Sequence, residues 1–270
     1  MVVLVVTHDK TPEQIRDLVS FLNIHSDAII ANQCGQEGSS SFSHEGHTIL
    51  EIRSKDRGVA KNRNLLLFHA PEKDISLCID DDCPLCDDAE SIVEAFFEEH
   101  RCDVALFNGR VPYEGNRLVH ELPRAKVERF RDVSYAGGPG LAFKGKVLKD
   151  TGLRYDERLG YPNYIYAGED SLFLKNLAER KLNFYRSEVV LFTVAIDKTD
   201  NSSYFHGVDE QFVYTRGAVG YLLYPKSHVL YPLHQLLVLR KRFGVNPLKI
   251  YPIFRKGRKQ GKTLLAKREK

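Results

Sequence analysis

The chain opens on an unbroken apolar run, Val2-Val3-Leu4-Val5-Val6. A parallel strand buried on both faces has this pattern. Thr11-Pro12-Glu13-Gln14 follows as a capping box with proline in the first turn, and Ile15, Leu18, Val19 and Leu22 recur at helical spacing. Short apolar runs over 28–31, 48–52, 75–79 and 104–107 predict further strands. Between them, helical spacing spans Val59–His69 and returns at Ala89, Ile92, Val93, Phe96 and Phe97. Strands that alternate with helices predict an α/β fold, with a mostly parallel sheet flanked by helices on both faces.

The rhythm loosens in the second half. Gly137-Gly138-Pro139-Gly140 leads into a short strand at Leu141-Ala142-Phe143, a helix is predicted over 168–180, and 184–194 is strand-like. From about Thr199 the alternation stops. The stretch 221–239 is apolar but is interrupted by Pro225, Lys226, His228, Pro232 and His234. It predicts a helical extension with one apolar face, not a membrane span. The expected organisation is an α/β domain over 1–198 and a helical, basic extension over 199–270.

Charge sharpens that division. The formal net charge is +3, yet from Lys241 onward eleven basic residues face one acid, Glu269. The tail therefore carries +10 and the body −7. A basic tail beside an acidic body implies an anionic partner, and sparse aromatic interleaving (Tyr251, Phe254) favours an anionic membrane surface over nucleic acid. No signal peptide is apparent before the first strand, and five cysteines, an odd number, read as reduced thiols. The expected location is cytoplasmic, peripherally associated with the inner face of the plasma membrane.

Candidate chemistry lies at two points. Asp80-Asp81-Asp82 follows an apolar strand, and ligands of open α/β sheets bind beyond the carboxyl ends of strands. Asp80 and Asp82 are two apart, so an extended backbone turns both to one side. Their oxygens suit Mn²⁺ or Mg²⁺, which completes its shell with substrate phosphates. The plain alternative is a solvated acidic turn before the next helix. An EF-hand is excluded, because Leu85 and Ser91 stand where glycine and glutamate are needed. Cys83, Cys86 and Cys102 lack a clear fourth ligand and read as ordinary thiols, not zinc ligands.

The second point is Gly168-Glu169-Asp170, which opens a predicted helix. First-turn carboxylates are favoured by the helix dipole alone. As chemistry, one of them is placed to act as a general base towards an acceptor hydroxyl. The stretch before it holds Tyr161, Tyr164 and Tyr166, rings that either pack or cover the apolar faces of sugars.

The pattern resembles glycosyltransferase family 2, inverting enzymes of GT-A fold, and among them the bacterial enzymes of capsular and cell-surface polysaccharides. The likeness rests on Arg57-Gly58-Val59-Ala60-Lys61-Asn62-Arg63-Asn64-Leu65, on Cys78-Ile79-Asp80-Asp81-Asp82 as an Asp-x-Asp motif, and on Gly138 to Phe143. Tyr155-Asp156-Glu157-Arg158-Leu159-Gly160 followed by Gly168-Glu169-Asp170 completes it. The resemblance implies a catalytic domain over 1–198, with 1–82 as its nucleotide-binding half and 83–198 as its acceptor half, and transfer of a sugar from a nucleotide-sugar donor, a UDP-sugar, to a glycan or lipid-linked acceptor. It implies Asp170 as the base with Glu169 beside it. Thr7, Asn32, Arg63, Asp80 and Asp81 would meet the donor, and Gly138, Tyr164 and Tyr166 would lie on the acceptor side. Asp82 and Asp80 would hold the metal, with Asp197 or His206 completing its shell. Two departures are Thr7-His8-Asp9 after the first strand and Asn32-Gln33 after the second, where the family carries other residues. The competing readings are a sugar-phosphate nucleotidyltransferase, which would need a glycine-rich, arginine-bearing loop after the first strand, and a non-catalytic glycan- or nucleotide-binding protein.

Overall fold

The computed structural model describes residues 1–112, 115–120, 125–134, 136–195, 208–227 and 230–267. The first half runs β1 (Val2–His8), α1 (Pro12–Phe21), β2 (Asp27–Gln33), β3 (Gly38–His44), β4 (His47–Arg53), α2 (Val59–His69) and β5 (Ile75–Asp80). Then come α3 (Ala89–His100), β6 (Val104–Val111), β7 (Arg117–Leu118), β8 (Ala125–Lys126), β9 (Leu141–Lys144), α4 (Gly145–Thr151), α5 (Glu169–Ala178) and β10 (Phe184–Thr193). Three helices follow: α6 (Glu210–Leu223), α7 (Leu230–Phe243) and α8 (Pro247–Ala266).

The sheet has the order β3-β4-β2-β1-β5-β9-β6-β10-β8, with β7 on β6. It is parallel across β4-β2-β1-β5 and again at β6-β10. β9 runs antiparallel between β5 and β6 and joins the two parallel blocks. The period of two divides β1 between two cores. Val3 and Val5 pack with α1 and α3, whereas Val2 and Leu4 face the layer that holds α2, α4, α5, α6 and α8. The continuous apolar run in β1 thus reflects helices on both faces, as the sequence pattern requires.

Thr11 caps α1 as predicted: its hydroxyl accepts from the Gln14 N–H, and the Gln14 side chain accepts from the Thr11 N–H. The polar strand β3 was not foreshadowed by any apolar pattern. It forms an exposed antiparallel edge on β4. The C-terminal helices pack onto the body. Gly217 of α6 and Gly257 of α8 let the two backbones meet, since a Cβ on Gly257 would stand 2.0 Å from the Tyr214 carbonyl oxygen. Arg158 ties the same helix to the body, donating to the Leu264 carbonyl at 3.1 Å. Among the described residues no helix is long and apolar enough to cross a membrane.

Candidate active site

The ends of β1, β2 and β5 open into a cleft of about 610 Å³. Thr7, Gln33, Arg57, Arg63, Asp80 and Asp82 are among the residues that line it. Its position beyond the strand carboxyl ends is the one expected of a ligand site in an open α/β sheet.

The cleft floor depends on α2, a helix whose buried positions include three polar residues in a row. Asn62, Arg63 and Asn64 are 4%, 8% and 4% exposed. Buried polar groups need partners, and each of these side chains has at least two, although Asn62 Oδ1 has none among the described residues. The Asn62 amide donates to the carbonyls of Thr7 and Ala31, both at 3.0 Å, and so holds α2 against β1 and β2. Asn64 donates to the Tyr155 carbonyl and accepts the Tyr155 N–H, which fixes the loop leading towards α5. Arg63 gathers carboxylates from both halves of the chain. Its Nη2 donates to Asp80 Oδ1 at 3.1 Å, and its Nη1 reaches Glu169 Oε1 at 3.4 Å and also Asp170 Oδ1.

Three acids around one buried cation leave an excess of negative charge. Burial, then the Asp170 charge, pushes Glu169 up to about 7 against the pull of Arg63. Burial also raises Asp170, opposed by Arg63. The helix dipole favours ionisation here, but loss of water outweighs it. Burial alone would lower Arg63, yet Asp170 and Asp80 hold it well above its ordinary value, so it remains a fixed cation. Asp170 is the more open acid, with a side chain 21% exposed against 11% for Glu169. Glu169 Oε2 is buried and has no partner among the described residues.

Gly138 closes this cluster from above. Its N–H donates to Asp170. A Cβ there would lie 2.8 Å from Asp170 Oδ1 and 3.0 Å from Arg63 Cζ, so any larger residue would displace this pair. The adjoining Pro139 carbonyl accepts from His120 Nε2 at 2.9 Å. His120 is fully buried and held neutral, its pKa lowered by burial to about 4.

The acidic triplet divides its tasks. Asp80 is held by Arg63, and Asp81 accepts from the Thr7 hydroxyl at 2.6 Å. Among the described residues Asp82 has only the Cys83 thiol as a side-chain partner, and burial, with its acidic neighbours, raises it to about 6. A buried carboxylate short of positive charge, with a second carboxylate nearby, is a donor set that a hard divalent cation would stabilise. Among the described residues no group of three or more metal-ligating side chains converges. Two carboxylates alone would leave most of such an ion's shell to substrate oxygens and water. Asp197 and His206, the expected third ligands, lie outside the described residues.

Other expected positions stand elsewhere. Asn32 is fully buried beneath the cleft, its amide used by the Lys10 carbonyl and Glu51, because the strand turns it away from the side that Gln33 faces. Gln33 reaches the cleft instead and clamps Gly58 through both backbone groups. Tyr164 is 60% exposed and packs edge-on against Tyr214 of α6, and Tyr166 is half-buried; neither is among the cleft-lining residues, whereas Tyr161 is. The pair Arg57–Asp9, joined by two hydrogen bonds, also lines the cleft. Arg57 stood inside the quoted Arg57–Leu65 motif, but nothing in the sequence paired it with Asp9.

No family model and no curated protein matches the sequence. Solved structures do. A crystal structure of TarS 1-349 from S. aureus matches with a TM-score of 0.57 at 15% identity, over 89% of this chain and 69% of that one. The same protein in complex with UDP-GlcNAc gives 0.56 at 16% identity, over 89% and 70%. Its complex with UDP gives 0.56 at 16%, over 89% and 69%. At that identity the likeness speaks for architecture, and together with the sheet order and flanking helices it shows that this chain has a GT-A-like fold.

Proposed function

We propose that this protein is a glycosyltransferase that moves a sugar from a nucleotide-sugar, a UDP-sugar, to a hydroxyl of a glycan or lipid-linked acceptor in surface polysaccharide synthesis. The observation that carries the reading is the Arg63 cluster, in which the acid at the end of β5 and the acids opening α5 meet on one arginine that lines the cleft. TarS, which shares the fold, is solved with UDP-GlcNAc and with UDP, and this supports a uridine nucleotide as the donor's handle.

In this reading Asp170 takes the proton of the acceptor hydroxyl as that oxygen attacks the anomeric carbon. The bond to the nucleotide diphosphate breaks on the opposite face, and one displacement inverts the centre. A carboxylate raised by burial is a stronger base than one in water, which suits the role. Arg63 and the Gly138 N–H fix its direction. Arg63 also holds Asp80, so the donor and acceptor sides share one rigid link. Asp82, with Asp80, would hold Mn²⁺ or Mg²⁺. Such an ion, when bound, offsets charge on the departing diphosphate.

We also propose that the C-terminal helices rest against an anionic membrane surface. Leu230, Leu233 and Leu237 form one outward stripe on α7, 77%, 54% and 53% exposed, ahead of Arg240 and Lys241. Amphipathic helices of this kind lie in the interface.

Calorimetric titration of UDP-sugars with and without Mn²⁺ tests the donor reading. The account expects metal-dependent binding, weakened in Asp82→Asn. Binding that ignores both the metal and that substitution would remove Asp82 from the site.

A further inference from the structure

A second concavity, about 870 Å³, lies among the C-terminal helices and shares no lining residue with the donor cleft. Tyr221 of α6 and Pro232 of α7 border it, and the rest comes from α8. Five of its lining residues are cations, Arg255, Lys256, Arg258, Lys259 and Lys262, and none is acidic. Arg255, Lys259 and Lys262 stand at i, i+4 and i+7, so they form one stripe of the helix. Residues 247–266 contain no acid to neutralise them. Like charges at this spacing repel, and an anion between them reverses the sign of the interaction.

A solvated basic helix would have the same composition, but Arg258 does not fit that description. Its guanidinium sits 5.2 Å from the centre of the Tyr221 ring, and its Nη2 donates to the Ser227 carbonyl at 3.2 Å. Its Nη1 is buried and has no hydrogen-bond partner among the described residues. A guanidinium in the groove wall beside a cationic stripe matches the oxygens of a phosphate group. The concavity is also held in place. The Gly217–Gly257 contact and the Arg158–Leu264 bond anchor α8 to the body.

We infer that this groove is a binding site for a phosphate-bearing ligand with two or more negative charges, supplied either by anionic lipid headgroups or by a soluble oligophosphate chain. The site is separate from sugar transfer and stands or falls without it.

Two probes on the full chain test the assignment: inorganic tripolyphosphate by calorimetry, and phosphatidylglycerol-containing vesicles by sedimentation. Lys259→Gln/Lys262→Gln removes two exposed groove charges. Lys146→Gln/Lys149→Gln removes two exposed charges from α4 as a control. The wild type should bind at least one probe, and the groove variant should bind it at least about tenfold more weakly, as loss of charge-assisted contacts implies. The α4 variant should stay within about twofold, as expected of charges outside the contact. Binding of vesicles alone assigns the headgroup source; binding of tripolyphosphate assigns the soluble one. The inference is overturned if neither probe binds or if both variants weaken binding equally. It is also overturned if Arg57→Ala abolishes binding while the groove variant keeps it, since the phosphate would then sit in the donor cleft.

Discussion

At the scale of single residues, burial decides the chemistry. A buried arginine is costly unless geometry and additional hydrogen bonds compensate, and Arg63 has carboxylates on both of its terminal nitrogens. His120 shows the opposite solution: it has no ion pair among the described residues, and burial keeps it neutral. Its ordinary pKa of 6.5 falls to about 4 in the folded chain. The unfolded chain therefore takes up this proton first as pH drops. The stability His120 contributes is whole above about 6.5 and is lost as pH falls towards 4. The full effect is up to about 3 kcal/mol for a shift of this size. Urea unfolding between pH 7 and 4 should show a shallower decline for His120→Gln than for the wild type. Parallel declines would show that His120 titrates normally and does not brace the Pro139 loop as a neutral ring.

At the scale of elements, backbones in contact set the arrangement of the C-terminal helices. Valine at Gly257 would drive a side chain into the Tyr214 carbonyl, and overpacking of this kind costs roughly 1–3 kcal/mol or more. Gly257→Val should lower the melting temperature and loosen α8; an unchanged melting temperature would contradict the close packing of α6 on α8. That packing was not legible in the sequence, which marks 221–239 only as an apolar, interrupted stretch. The elements that were legible are those whose pattern follows from burial: β1 with its two-faced run, α1 with its capping box, and α5 opening on two acids. The sequence of β3, Gly-Ser-Ser-Ser-Phe-Ser-His, has no face to bury and forms through backbone pairing with β4. The reversed β9 was equally hidden, because three apolar residues look alike in either direction. Within the site, Arg63, Asp80 and Asp170 were found by motif and are brought together. Asn32, expected to meet the donor, lies buried beneath the cleft, because strand alternation, invisible without the boundaries, sends Gln33 to the cleft.

At the scale of the molecule, two halves of an α/β sheet meet through antiparallel β9, and Arg63 links the acid closing the first half to the acids that open α5 in the second. In the proposed reaction this linkage joins the donor cleft to the acceptor base, and of the two acids opening α5 Asp170 is the more exposed. An amide at Asp170 keeps the shape and the Arg63 contact but cannot take a proton. The decisive measurement is therefore sugar transfer by Asp170→Asn and Glu169→Gln, with UDP-sugar affinity measured alongside. The account predicts that Asp170→Asn folds, binds donor normally and loses turnover by about 10²–10⁴-fold, the usual worth of a general base, while Glu169→Gln keeps substantial activity. Near-normal turnover in Asp170→Asn with a dead Glu169→Gln would contradict it and give the base role to Glu169.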